Sequence, residues 1–167
     1  MKLTSAEANK MLNKLNADRD ALLEMERQSQ IFTAATVENV EDARPEYSYE
    51  DTREKVVALD EKVRQIKHAL NLFNVSQELP GFSMTIDQAL VYIPQLTQRV
   101  RRLSAMRLIP KKIRNTASRS ANLIEYDYAN FDPERAEADY KEAADTLARL
   151  QNALDLVNST VNLEIEL

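Results

Sequence analysis

Apolar side chains return at helical spacing in four separate stretches of this chain, and three of those stretches keep a strict heptad. A heptad seam commits a segment to an α-helix with one buried stripe, because positions a and d stay on one side of a slightly underwound helix. The clearest seam runs Val56, Leu59, Val63, Ile66, Leu70, Phe73, entered from Ser48 with Asp51 three residues on, a variant of the capping box. The last runs Ala136, Tyr140, Ala143, Leu147, Leu150, Leu154, Val157. There Asp132 is a natural N-cap, and Pro133 suits the first helical position, where a missing N–H is not needed. A third runs Ile86, Ala89, Ile93, Leu96, Val100, Leu103 after a Thr85-x-x-Gln88 capping box, and Pro94 within it predicts a kink or the loss of the first two turns. The first helix starts at Thr4-x-x-Glu7 and shows Ala8, Leu12, Leu15 and Leu22, with Met11 and Met25 alongside; Arg19 weakens its seam by taking an apolar slot.

These helices repeat. Ala69-Leu70-Asn71-Leu72-Phe73-Asn74 recurs as Ala153-Leu154-Asp155-Leu156-Val157-Asn158, 84 positions on, and at that offset the cap Ser48 falls on Asp132. The first and third helices align at an offset of 81, Thr4 with Thr85 and Leu15 with Leu96 among others. The expected organisation is a single domain over 1–167 with an internal pseudo-repeat, 1–83 and 84–167. Each half is helix, long connector, helix, and Val75 to Ser83 with Pro80-Gly81 forms the turn between halves.

Long structureless connectors are uncommon in compact domains, and each connector here holds a β-like run, Ile31 to Val37 and Leu123 to Tyr128. These are expected to form β-arms that pair with one another, with alternating Val161, Leu163, Ile165 and Leu167 as a third short strand. The fold class that follows is mainly α: a pseudo-duplicated, four-helix, coiled-coil-like antiparallel bundle whose long connectors form a small β-arm element.

The start Met1-Lys2-Leu3, the helix end Asn71-Leu72-Phe73-Asn74, the helix start Met84-Thr85-Ile86-Asp87-Gln88-Ala89-Leu90 and the closing Asn158-Ser159-Thr160-Val161-Asn162 together resemble the bacterial septicolysin-like family over nearly the whole chain. The resemblance implies a small helical bacterial protein and offers no catalytic residues to carry over. The family label hints at a cytolysin, but nothing in these residues supports that, since no helix is apolar enough to enter a bilayer.

Composition narrows the chemistry. One glycine cannot supply the phosphate loops of nucleotide-binding folds, which need several residues without a side chain where backbone meets phosphate. Without cysteine there is no disulfide, thiolate metal site or thiol catalysis. His68 is the only imidazole, sits at heptad position f, and has Gln65 three residues before it, so the paired Glu-x-x-His of a di-iron bundle is absent. Carboxylate pairs such as Asp18 with Asp20 and Asp60 with Glu61 read as a solvated acidic face. Tyr126 and Tyr128, two apart on one strand face, read as packing. No catalytic residue, cofactor or metal site is therefore expected. No apolar segment follows Lys2, so neither signal peptide nor membrane insertion is expected, and a cytoplasmic location is the default.

Charge is segregated along the chain. From Gln88 to Ile124 there is no acid, while Arg99, Arg101, Arg102, Arg107, Lys111, Lys112, Arg114 and Arg119 are all basic; the chain as a whole carries −5. In one reading the basic third helix pairs with the acidic fourth and the charges decide which helices are neighbours. In the other, Arg107, Lys111, Lys112, Arg114 and Arg119 form a free arm that binds an acidic protein, a nucleic acid or another anion. Against nucleic acid stand the net acidity and the lack of any aromatic between Tyr92 and Tyr126 on which a base would stack. The sequence thus points to a non-enzymatic structural or protein-interaction protein, self-associating as a homo-oligomer that buries its strand edges. The alternative is a nucleic-acid or anion-binding module using the basic 99–119 segment.

Overall fold

The computed structural model describes residues 1–116 and 124–166, and among them the chain is mainly helical, with short antiparallel strand pairs. In order the elements are β1 (Lys2–Thr4), α1 (Ser5–Ser29), α2 (Val40–Ala43), α3 (Tyr49–Ser76), α4 (Ile86–Met106), β2 (Lys112–Arg114), β3 (Tyr126–Tyr128), α5 (Pro133–Thr160) and β4 (Asn162–Glu164). They divide into two compact units, Met1–Asn74 with Asn158–Leu167, and Val75–Val157.

In the first unit α1 starts at the expected capping box. The Thr4 hydroxyl accepts from the Glu7 N–H at 3.2 Å and the Glu7 carboxylate accepts from the Thr4 N–H at 2.9 Å, so two donors that the helix leaves free are satisfied together. Those hydrogen bonds hold the Glu7 carboxyl below its usual range. α1 and α3 run antiparallel: Arg19 reaches Asp60 at 3.4 Å in mid-helix, and Tyr47, just ahead of α3, donates to Glu26 near the far end of α1 at 2.6 Å. Ala8, Leu12 and Leu15 of α1 and Val63, Ile66, Leu70 and Phe73 of α3 are buried seam residues, while Leu22, Val56 and Leu59 of the same seams are half-buried. Arg19 keeps its slot in the stripe by sending its guanidinium to Asp20 and Asp60, with Nε left unpaired. β1 pairs with β4, Leu3 opposite Leu163, and the alternation of β4 buries Leu163 and Ile165.

The Glu26 carboxylate pushes the Tyr47 phenol up to about 12, with burial adding to the shift. Only the folded state has this raised value. The contact therefore stabilises fully below the ordinary phenol range near pH 10 and fades as pH climbs from there through about 12. Among the six tyrosines an absorbance titration should resolve one late-ionising phenol that vanishes in Tyr47→Phe. A Tyr47→Phe curve that keeps the late component rules out this assignment.

The second unit repeats these devices. Thr85 and Gln88 exchange the same pair of capping bonds, at 3.4 and 3.0 Å. α4 then runs unbroken through Pro94, so the expected loss of its first two turns does not occur. Pro94 lies exposed while Ile86 and Ala89 before it and Leu96 and Leu103 after it are buried, and their burial carries the helix across the one backbone bond that proline removes. α5 begins at Asp132, whose carboxylate accepts from the Glu134 N–H at 3.1 Å, with Pro133 as its first residue. It lies antiparallel to α4, with Arg107 against Glu137 towards one end and Arg149 over the Phe82 ring at the other.

α3 and α5 begin and end 84 positions apart, Tyr49 with Pro133 and Ser76 with Thr160, while α1 and α4 start 81 apart. The bridge Glu78↔Thr85 is the same joint as Asn162↔Thr4. Leu79 is buried as Leu163 is. In the second unit the two sides of that joint are joined by a tight turn, Leu79-Pro80-Gly81-Phe82, closed by the Phe82 N–H on the Leu79 carbonyl at 3.1 Å. Gly81 takes φ 80°, which the third position of a turn led by proline requires and which a side chain would oppose.

The strand expectations need correction. Ile31 to Val37 forms no strand: Ile31 and Val37 are exposed, and a turn closes from Ala35 to Glu38. A β-branched run without a surface to pack on has little reason to extend. β3 therefore pairs with β2 in its own connector, not with the first connector, and Leu123 lies outside the described residues. The expected C-terminal strand is present as β4 and pairs with β1; Leu167 lies outside the described residues.

Candidate interaction surface

α4 ends at Met106 and is capped by Arg107, whose N–H still reaches the Leu103 carbonyl at 2.9 Å, and Pro110 prevents the turn that follows from continuing as helix. From here the chain crosses to α5 by the β2–β3 hairpin, and the basic residues along it meet different fates. Arg107 Nη1 donates to Glu137 at 3.0 Å, and its guanidinium stacks over the Tyr140 ring at 4.2 Å. Lys111 Nζ donates to Glu134 at 2.7 Å. Glu134 lies in the first turn of α5, where the free N–H groups also favour a negative charge. These bonds raise the affinity of Arg107 and Lys111 for their protons, and Arg107, with Lys141 at 3.2 Å, holds the Glu137 carboxyl below its usual range. Two of the five candidate residues are thus committed to α5.

Lys112 and Arg114 are not. Residues paired across an antiparallel ladder project to the same side, so the pairs Lys112↔Tyr128 and Arg114↔Tyr126 put two cations and two phenol rings on one face of the hairpin. Lys112 Nζ lies 3.9 Å from the Tyr126 ring centre and 5.5 Å from that of Tyr128, and the two rings are 6.5 Å apart. All four side chains are exposed, Tyr128 at 65%. The packing role expected of the tyrosines does not hold for them. The opposite face carries Ile113 and Asp127, with the Asp127 carboxylate taking a hydrogen bond from Asn115 Nδ2 at 3.1 Å. Arg119 lies outside the described residues.

The tyrosines were legible as residues but not as members of this group, because they follow the basic block in sequence and join it only through strand pairing. Arg99 and Arg102 on α4 line an open groove of ≈ 330 Å³ with Asp139 and Glu142 of α5, a mixed-charge lining that matches no single ligand class. His68 is exposed on α3, as its heptad position predicts. Among the described residues no group of three or more side chains is arranged to hold a metal ion, and no helix is long and apolar enough to cross a membrane.

No protein-family model matches the chain, and no curated protein matches it. Among solved structures, the chain is similar to a functionally unknown conserved protein from Corynebacterium diphtheriae at 15% identity, with a TM-score of 0.59 over 98% of this chain and 100% of that one, a likeness of fold.

Proposed function

We propose that this chain is a non-enzymatic interaction protein of the septicolysin-like type, a coiled-coil-like helical bundle that self-associates through the connector between α4 and α5. The observation that carries this is the concentration of exposed aliphatic side chains there: Leu108, Ile109, Ile113 and Ile124. A two-stranded hairpin is marginal in water by itself, and its outer edges present unpaired backbone groups that proteins normally cover. A second copy of the same hairpin supplies both the missing strand and an apolar cover, and twofold closure limits the assembly to a dimer. The salt bridges of Arg107 and Lys111 favour this over the free basic arm read from sequence, because they tie the hairpin's base to α5.

Sedimentation at micromolar concentration should give a mass near twice the chain's 19.1 kDa. Ile113→Lys with Ile124→Lys, both on exposed positions, should return it to the monomer with unchanged helix content. A parent protein that sediments as a monomer throughout the micromolar range ends the proposal.

A further inference from the structure

We propose that the face formed by Lys112, Arg114, Tyr126 and Tyr128 binds single-stranded nucleic acid. The inference stands on the face opposite Ile113 and does not depend on self-association. Binding a single strand without regard to sequence needs two things: cations to follow the phosphates, and aromatic rings on which successive bases stack. The hairpin supplies both from four residues in cross-strand pairs. Tyr126 and Tyr128 are one pleat repeat apart on the same strand, so their rings follow one another along a straight track, as the bases of an extended strand do. Lys112 and Arg114 run beside that track on the neighbouring strand. The two acids of β3 and its approach, Glu125 and Asp127, alternate onto the other face, so the track itself carries two positive charges and no negative one.

Two objections from sequence change weight in the structure. The missing aromatics of the basic segment are provided by β3. The chain's net charge of −5 acts at long range and is screened by salt, whereas contact between this face and phosphate is local. Lys112 now rests over the Tyr126 ring, and both side chains are exposed, so the ammonium swings to a phosphate as a base takes its place on the ring. Duplex DNA hides its base faces within the stack and offers this track only phosphates. The surface therefore favours single strands.

The probe is fluorescein-labelled oligothymidylate, longer than the roughly 4–16 nucleotides that a small stacking domain covers, read by anisotropy across a salt series on the full chain. A parallel readout is the protein's own tyrosine emission, which no tryptophan masks and which stacking quenches. Binding with an inverse salt dependence of about one to two ions, quenching, and weaker affinity for duplex DNA and polyphosphate are expected. Tyr126→Ala with Tyr128→Ala should then lower affinity at least about tenfold with the salt slope kept. Lys112→Ala with Arg114→Ala should lower affinity and flatten the slope. Far-UV circular dichroism must match the parent for either pair, and Tyr126→Phe with Tyr128→Phe, which keeps the rings, should retain binding. No binding at low salt overturns the proposal. Equal affinity for polyphosphate and oligothymidylate that survives loss of both rings also overturns it, leaving a patch for anions in general.

Discussion

Leu150→Ala will destabilise the fold by about 2–5 kcal/mol, and Ile66→Ala will do so by a similar amount. The two residues stand 84 positions apart, at the same place in α3 and α5, and both are 0% exposed. Removing three carbons at either site loses their transfer energy and leaves a cavity that close-packed neighbours only partly refill. For a chain of this size each kcal/mol lowers Tm by roughly 2–4 °C. The shift is therefore larger than anything expected at the protein's surface. His68→Ala, on the exposed side of α3, is the control and should stay within about 0.5 kcal/mol of the parent. A cost below about 1 kcal/mol at both Ile66 and Leu150 would mean that water already reaches the seam.

The second large effect is expected at Arg107. Arg107→Glu removes the bond to Glu137 and the stacking on Tyr140 and sets a carboxylate against Glu137, so its denaturant midpoint should fall below that of Arg107→Ala, which only removes the contacts. The groups are about one-third exposed, so solvent screens the pair and the loss stays below that of a fully buried pair. Arg107→Glu with Glu137→Arg should recover part of the loss, because the charges are again opposite, and the double-mutant cycle isolates the pair from the lost stacking. Acid provides an independent check on the sign. The Glu137 carboxyl is held low only in the folded state, so its contribution is complete above the ordinary carboxylate range and is lost as pH falls through the lowered value. Denaturant midpoints of parent and Glu137→Gln should therefore converge as the solution is acidified. Parallel curves would remove the charge contribution from Glu137.

The parts of the fold that could be read in the sequence are those whose physical cause is local. Thr4 with Glu7 and Thr85 with Gln88 form capping boxes three residues wide, and the structure closes both. Most seam residues lie buried because seven-residue spacing decides which side of a helix they take, while Leu22, Val56, Leu59, Ile93, Val100, Tyr140, Leu147 and Leu154 stay half-buried. Pro80-Gly81 sits in the turn for the same reason, since one ring and one missing side chain set the backbone there. β1 was not legible. Three residues, Lys2 to Thr4, carry no alternation to detect, and their partner lies at the other end of the chain. Ile31 to Val37 shows the reverse error: β-branched composition without a surface to pack on. The interaction surface was half legible. Arg107 and Lys111 met the acidic helix that the charge segregation called for, while Tyr126 and Tyr128 joined Lys112 and Arg114 through pairing across the connector, which no local pattern records.

The joint between β4 and β1 and the joint around Glu78 and Thr85 have the same pairing, yet only the second is crossed by the polypeptide. A circular permutant that opens between Pro80 and Gly81 and carries a short proline-glycine turn from Glu166 back to Met1 keeps all four long helices and both joints. It merely exchanges which joint is covalent.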